Sequence, residues 1–461
     1  MKKITLALVL LMSFVLGFGQ CPSFDIELST QAQIDNFAAN YPNCYEPTHE
    51  IRINGSLSTI SNLNGLYKLT DASSLFIFNT QINNLYGLHN LENADHIALW
   101  GNHNLTDLSG FSSIQSIGSI ELFINNSIAS LGGMVNIQSI DNLNLFSNSN
   151  LSDISDLSFI ESMNSLTIGG NSINSLNGLE NLKTVTGDLN LTNEQLTNFT
   201  ELENLDFIGG SLYVAYFDDL NDLTAFSNIE TLEDLYILEC PNLSDLTGLS
   251  KLHTVNGKFR IGFNSGLTTL AGVYDIESVG DLDIYENENL NSLKGFENIQ
   301  EIKNRLFINN NPVLFSIDAL KNVSTEEIDE VAIIVNHTLS VCSNELICTI
   351  LLDPSVSKTF FDNAPGCSSE NEVQISCNSW SLMNIALEEQ VDIYPNPVSN
   401  YLTISLSEGI LFKKAIIYSI SNERIYESLE ETIDLSMFPK GIYFVDIETN
   451  KGNVIQKIIK A

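Results

Sequence analysis

A chain of 461 residues with 57 acidic and 20 basic side chains carries a formal net charge of −37 at pH 7. Such a surface repels nucleic acid and anionic membranes, so the composition argues against a nucleic-acid partner. The acidity is concentrated in residues 21–390, which hold 48 acidic and 11 basic side chains, whereas residues 391–461 hold 9 and 7. This excess is typical of a soluble exported protein, and weak cation binding by clustered carboxylates is the alternative.

The first 19 residues predict a signal peptide. Two lysines precede an apolar run from Ile4 to Leu16, and small glycines favour cleavage before Gln20. The run is too short to span a membrane, and no later stretch approaches the roughly 20 apolar residues of a spanning helix. The sequence therefore predicts export without a transmembrane segment. Lipid attachment at Cys21 is the alternative, although Gln20 is a poor context for it.

Residues 20–50 predict an N-terminal cap. A helical stretch runs from Gln31 to Ala39, with Ser29 or Thr30 before it as the N-cap. Cysteines in an exported chain favour disulfide bonds, and a bond between Cys21 and Cys44 would hold this segment in place.

Residues 51–325 repeat one pattern. Its clearest copy reads LTIGGNSINSLNGLENLKTVTGD from Leu166, with a short strand, a polar turn and an apolar return that looks irregular or extended. We call the first inward residue of each strand the opening residue. It recurs every 22 to 24 residues, at Leu75, Ile97, Ile120, Leu143, Leu166, Leu189, Leu212, Leu235, Phe259, Leu282 and Leu306. A fixed period in this range indicates a solenoid, which at about 4.8 Å per strand would be roughly 50 Å long.

The fifth residue after the opening lies at the turn. It is asparagine in many repeats, at Asn148, Asn171, Asn264, Asn287 and Asn311. Leucine-rich solenoids accept Asn or Cys at such a turn, where a buried side chain can bond the open backbone groups. Cys240 has this place in its own repeat, so we expect a buried structural thiol.

The outward positions predict a candidate ligand-binding surface. Because strand side chains alternate between faces, the first and third residues after each opening point outward. The third residue is aromatic in four consecutive repeats, and these rings would form a ladder about 15 Å long. Exposed apolar surface of this kind usually marks a contact site, and rings suit sugars or peptide side chains. The alternative is that the rings are covered or only stabilise the sheet. The ladder consists of Phe78, Trp100, Phe123 and Phe146, and the same face gains Phe76, Tyr213, Tyr236 and Phe307.

Catalytic patterns are lacking. The six histidines have no metal-ligand spacing, and the sequence has no nucleophile elbow, phosphate-binding loop or CxxC pair. Arg260 and Asp283 each follow an opening residue, and a polysaccharide-acting enzyme could use such a pair. A cross-strand ion pair is the simpler interpretation. We therefore expect no catalytic residue, metal or cofactor.

Residues 326–390 predict a C-terminal cysteine cap and linker. A last strand is expected from Val331 to Val335, followed by an amphipathic stretch from Glu345 to Leu352. Four cysteines allow three pairings, and the sequence does not choose among them. They are Cys342, Cys348, Cys367 and Cys377.

In residues 391–461 the period stops and short stretches of alternating apolar and polar residues appear, which predict a small antiparallel β-sandwich. Short alternating strands are expected at Tyr401–Leu406, Ala415–Ile420, Arg424–Ser428, Ile442–Ile447 and Val454–Ile459.

The repeat body resembles the receptor L-domain group of leucine-rich-like solenoids, which includes bacterial surface proteins. The resemblance rests on the L-x-I-x-x-N strand and turn, the L-x-G-L-x-x-L return, and the flanking wording YPNC and NAPGCSSENEV, over residues 21–377. It implies a mainly β fold, a right-handed parallel solenoid with disulfide caps, and a secreted or cell-surface binding or adhesion protein. A carbohydrate-active solenoid enzyme and a purely structural surface-layer protein are the alternatives.

The tail resembles the type A sorting domain of the type IX secretion system. The matching segments are DIYPNP from Asp392, LTI from Leu402, LSMFPKGIY from Leu435 and QKIIK from Gln456, with Ala461 as an addition. The resemblance implies passage through the periplasm, export across the outer membrane by the secretion machinery, and release or attachment of the body at the surface. Its motif residues are Tyr394, Pro395, Asn396, Pro397, Gly441, Tyr443, Lys457 and Lys460.

Overall fold

The computed structural model describes residues 21–134, 136–192, 195–388, 390–407, 409–419 and 424–461. The signal peptide expected over residues 1–19 lies outside this part of the chain. Contacts between residues divide the protein into two compact units, one ending at Ser368 and the other beginning at Ser369.

The first unit is built on a parallel sheet of sixteen strands within the described residues. Opening residues pair with opening residues, as Leu166 does with Leu189 and Leu189 with Leu212. The mainly β solenoid expected from the period is therefore confirmed. In spatial order its strands are Ile26–Leu28, Glu50–Asn54, Asp71–Phe78, Asn93–Trp100, Ser116–Phe123, Ser139–Phe146, Ser165–Gly169, Leu189–Thr192, Leu212–Ala215, Leu235–Leu238, Thr254–Gly262, Ser278–Tyr285, Glu301–Asn309, Glu330–Ile334 and Ser357–Phe361, and Thr231–Leu232 pairs beside this path.

Inward side chains of each repeat close the core. Leu166 and Ile168 on the strand, and Leu176 and Leu179 on the return, are fully buried. Burial of each such side chain contributes about 2 kcal/mol to stability. Because these side chains are covered by the repeats on either side, a repeat is stable only when it is stacked on its neighbours. The returns are irregular, as several contain 3₁₀ turns and three contain short strands that form a small parallel sheet. The 3₁₀ turns are Asn64–Leu66, Tyr86–Leu88, Ser109–Phe111, Ser155–Leu157, Thr200–Leu202, Thr224–Phe226 and Asp318–Leu320, and the small sheet joins Ser162–Met163, Thr184–Val185 and Phe207–Ile208.

The N-terminal cap has the expected disulfide, Cys21–Cys44, and a capping box in which Thr30 and Gln33 bond each other's backbone. The helical stretch expected over residues 31–39 consists of two short helices, Gln31–Asp35 and Phe37–Asn40. Asn36 separates them, since its side-chain amide donates to the Ala32 carbonyl at 2.7 Å and competes with the helical pattern.

The C-terminal cap contains a strand that the period did not predict. Helix Glu345–Leu352 begins at the Asn344 N-cap, and strand Ser357–Phe361 then adds one more rung to the sheet. The helix lengthens this repeat, so the fixed period does not reach the strand. Cys342 pairs with Cys367, and Cys348 and Cys377 are also disulfide-bonded.

The second unit has a helix, Glu370–Glu388, and two antiparallel sheets. Four of the five expected strands are matched or extended at both ends, and the fifth, expected over residues 415–420, falls on strand Phe412–Ser419, with Ile420 outside the described residues. One sheet joins Val391–Tyr394, Tyr401–Leu406 and Thr432–Asp434, and the other joins Arg424–Ser428, Phe412–Ser419, Gly441–Thr449 and Gly452–Lys460. Along the described residues, no helix combines the length and apolar character that crossing a membrane requires.

Candidate binding surface

A column of buried asparagines lies in the turns that follow the strands of the large sheet. The Asn148 carbonyl oxygen accepts from the backbone N–H of Asn125 at 2.9 Å, and its amide donates to the Leu122 carbonyl at 2.8 Å. These bonds satisfy turn groups that water cannot reach, as the sequence predicts. The asparagine column comprises Asn102, Asn125, Asn148 and Asn171, then Asn264, Asn287, Asn311, Asn336 and Asn363.

Cys240 lies between the two parts of this column and is buried and unbonded to another cysteine. Its backbone N–H donates to the Asn264 side chain at 2.9 Å, and its thiol lies 3.4 Å from the Leu238 carbonyl. Burial raises the pKa of the Cys240 thiol to about 12. A thiol of this kind is structural, because the reactive form is the thiolate.

The aromatic ladder (Phe78, Trp100, Phe123 and Phe146) lies in register on four neighbouring strands. Trp100, Phe123 and Phe146 are 39, 38 and 39% exposed, and Phe78 is half-buried. The Phe123 and Phe146 rings stack with centroids 6.1 Å apart. Their position on a hydrogen-bonded sheet fixes the spacing of the rings.

Glycine ends the ladder. A Cβ added at Gly169 would clash with the Thr192 hydroxyl and lie 2.8 Å from the Phe146 ring, so these two neighbours occupy the space of a side chain here. The outward residues on the next two rungs are small, at Thr192 and Ala215.

A second outward row runs beside the ladder and is partly polar. Phe76 packs edge-on against Trp100 at 6.2 Å, and the Arg52 guanidinium lies over the Phe76 ring at 5.8 Å. Further along this row come Glu121 and Asn144, whose side-chain oxygen Oδ1 is buried without a hydrogen-bond partner. The rings can stack on an apolar ligand face, and the Glu121 carboxylate, whose side chain is 30% exposed, can accept a hydrogen bond from its hydroxyl or amide groups.

Tyr213 and Tyr236 form a separate cluster. Their rings are 5.5 Å apart, and the Arg260 guanidinium lies over the Tyr236 ring at 5.8 Å. Burial raises the pKa of both phenols. The structure does not bring these tyrosines to the ladder, because strands Ser165–Gly169 and Leu189–Thr192 lie between them.

The ion pair expected between Arg260 and Asp283 is present, with Nε 2.8 Å from Oδ2. Arg305, which the sequence pattern did not single out, also binds Asp283 at 2.6 Å. The Asp283 side chain is 3% exposed, so its carboxylate is occupied by two guanidinium groups rather than open to a substrate. In the described segments, no group of three or more His, Cys, Asp or Glu side chains is arranged to hold a metal.

Several motif residues of the tail come together. The Asn396 amide donates to the Lys457 carbonyl at 2.8 Å, and the Ile459 N–H donates to the Asn396 oxygen at 2.9 Å. Gly441 pairs with Lys460, which is 8% exposed, and the Tyr443 hydroxyl donates to the Pro439 carbonyl at 2.8 Å. The peptide bonds before Pro395 and Pro397 are cis, and Tyr394 is exposed.

Two protein-family models match this chain. Residues 158–271 match the Receptor L domain, and residues 392–461 match the Secretion system C-terminal sorting domain. Both resemblances are confirmed. The sorting domain indicates a secreted or cell-surface protein that uses type IX secretion, and the receptor L domain suggests a surface binding protein. Both families are of non-catalytic types. No curated protein matches the chain.

Proposed function

We propose that this protein is displayed at the cell surface or secreted, and that the outer face of its solenoid binds a protein or glycan ligand through the aromatic ladder. One observation carries the proposal: three large rings, at 38 to 39% exposure, occupy the same position on consecutive strands. Contiguous exposed apolar surface on a soluble protein usually marks a contact site.

The repeat does not need these rings in order to fold. At the same outward position, other rungs have Thr192, Ala215 and Gly262, and their strands pair equally well in the sheet. Sheet stabilisation therefore accounts poorly for four aromatics in succession. Ligand contact accounts for them, because aromatic side chains supply much of the contact energy at binding surfaces.

The chemistry beside the ladder suits a ligand with both apolar faces and polar groups. Trp100 and Phe123 offer ring faces, and Glu121 and Asn144 lie in the adjacent row. A sugar ring and a peptide side chain both present this combination, so the test must distinguish them.

The experiment removes two rings from the full exported protein. We expect Trp100→Ala together with Phe123→Ala to weaken binding on glycan and protein arrays by at least about tenfold, because aromatic anchors contribute about 1 to 3 kcal/mol each. Phe361→Ala is the matched control, since Phe361 has the same outward position on the last rung and is 64% exposed. Unchanged array binding by the double variant would refute the proposal.

Export is tested by deleting residues 391–461. The sorting-domain match supports a role for this segment in reaching the secretion machinery. The truncated protein should accumulate in the periplasm, as measured by cell fractionation. Surface display at the level of the full chain would rule against the sorting role.

A further inference from the structure

From strand Asp71–Phe78 onward, each described residue that follows a third outward position adopts a left-handed backbone conformation. We call these residues the left-handed column, and their φ angles range from 50° to 66°. In this column, Tyr216, Glu239 and Phe263 lie on three consecutive rungs. The Tyr216 N–H donates to the Leu238 carbonyl at 3.1 Å, the Glu239 N–H to Gly262 at 3.0 Å, and the Phe263 N–H to Tyr285 at 3.2 Å. The backbone thus sets Glu239 between two aromatic residues.

These three side chains line a pocket of about 310 Å³ together with Asp218 and Pro241. Tyr216 and Phe263 are 47 and 48% exposed, so both rings present open surface. The Glu239 and Asp218 carboxylates are exposed, and among the described residues neither takes part in an ion pair. The pocket therefore combines ring faces with two unneutralised negative charges.

Behind the pocket, burial raises the pKa of Tyr285, the Arg260 guanidinium lowers it, and the Asp283 and Glu239 carboxylates raise it further. The Tyr285 ring packs edge-on against Phe263 at 5.5 Å, and Arg260 is engaged by Asp283. The pKa of Tyr213 is raised, first by burial and further by Tyr216 and the Glu239 carboxylate. A negative potential of this kind favours a cation over a second anion.

We propose that this pocket binds a lysine or arginine side chain of a basic partner protein. A cation over an aromatic face is attracted by the ring quadrupole, and a carboxylate between two rings adds a charged hydrogen-bond acceptor. The body of the protein, with 48 acidic and 11 basic side chains over residues 21–390, attracts basic partners at long range. The chain already uses this contact internally, where Arg260 lies over Tyr236 and Arg305 over Phe307.

This site is distinct from the aromatic ladder. Three strand spacings, about 14 Å, separate the rung of Phe146 from that of Tyr216. A failure at one site can therefore be told from a failure at the other.

The test titrates the full protein with a hexalysine peptide at fixed ionic strength and measures the dissociation constant by calorimetry. Glu239→Gln and Phe263→Asn should each weaken binding by about five- to tenfold, as expected for loss of a charge partner or a cation–π contact. Asparagine is already present in the left-handed column at Asn79 and Asn310, so Phe263→Asn should fold normally.

Glu286→Gln is the matched control. Glu286 belongs to the left-handed column on the next rung and does not line the pocket. Glu286→Gln removes one negative charge, as Glu239→Gln does. Its hexalysine affinity should stay within about twofold of the parent, as should that of Trp100→Ala. Equal weakening by Glu239→Gln and Glu286→Gln would show binding by net charge alone and would overturn the proposal. Unchanged hexalysine affinity in both pocket variants would also overturn the proposal. So would a Phe263→Asn variant that keeps its hexalysine affinity but loses binding to a neutral oligosaccharide.

Discussion

The inner and outer sides of each turn follow opposite rules. On the inner side the asparagine column repeats one residue type, because each buried amide satisfies backbone groups of the preceding rung, as Asn148 does for Asn125 and Leu122. On the outer side the third position varies from Trp100 to Gly169 to Tyr285 while the strands keep their register. The fold is therefore specified on the inner side, and the outer side is free to differ between rungs. We therefore expect ligand binding to depend on the outward positions that differ between rungs.

The largest expected effect comes from breaking the inner side. Asn148→Ala should lower the free energy of unfolding by about 3 kcal/mol, because the Asn125 N–H and the Leu122 carbonyl then lose buried partners. Urea denaturation measures the change. Asn150→Ala, at an exposed site two residues away, should change stability by less than about 0.5 kcal/mol. Equal losses of stability in the two variants would contradict the claim that the inner side specifies the fold.

Asp283 tests whether an outer-side residue can also stabilise the fold, since it points outward and is nevertheless buried. Asp283→Ala should cost about 2 kcal/mol, less than a fully buried pair, because Arg260 and Arg305 are each 32% exposed and can turn to water. Asp281→Ala on the same strand is the control and should cost less than about 1 kcal/mol. A smaller loss at Asp283 than at Asp281 would show that the double ion pair does not stabilise the sheet.

Cys240 should give the inner side a dependence on alkaline pH. Its pKa is raised to about 12 in the folded protein, so above about pH 9 the unfolded chain loses the thiol proton while the folded protein keeps it. This contribution is fully present below the unfolded pKa and decreases by about 1.4 kcal/mol per pH unit above it, until pH reaches the folded pKa. Stability measured from about pH 8 to about pH 11 should fall more steeply in the parent than in Cys240→Ala. Parallel curves would show that the thiol ionises equally in both states.

The smallest effect is expected on the ladder. Phe146→Ala should cost about 1 kcal/mol of stability, since the ring is 39% exposed and loses mainly its stacking on Phe123. Its inward neighbour provides the contrast, because Leu145→Ala should cost about 3 kcal/mol. Thermal unfolding of the pair gives the comparison. Similar losses in both would place Phe146 among the residues that hold the fold.

Much of the solenoid is predictable from its period, because each inward side chain packs on the equivalent side chain of the neighbouring repeat. The register of Leu166, Leu189 and Leu212 and the place of Cys240 were predictable for this reason. The early start of strand Asp71–Phe78 was not, since its buried Ala72 lies three residues before Leu75 and so departs from the two-residue alternation of a strand. Cysteine pairing in the C-terminal cap also depends on loop paths that spacing does not specify.

The site was predictable only in part. Alternation identified the positions of Trp100 and Phe123, although their ligand role is still a proposal. The pocket of Tyr216, Glu239 and Phe263 was missed, because the direction of these side chains depends on a left-handed backbone. Residues as different as Gly101, Asn79 and Ile124 share that conformation, so the column carries no composition signal.

The asparagine column is interrupted, and this has a consequence for how the solenoid opens. Among the described residues of this gap, Phe217 and Cys240 occupy the asparagine position, and Phe217 packs against Phe199 at 5.4 Å. Amide-to-amide bonds link Asn102 to Asn171 and, separately, Asn264 to Asn363. Linked bonds strengthen one another, and neighbouring repeats unfold together. Under native-state hydrogen exchange, the backbone amides of the two stretches should lose protection as two blocks, each with its own opening free energy.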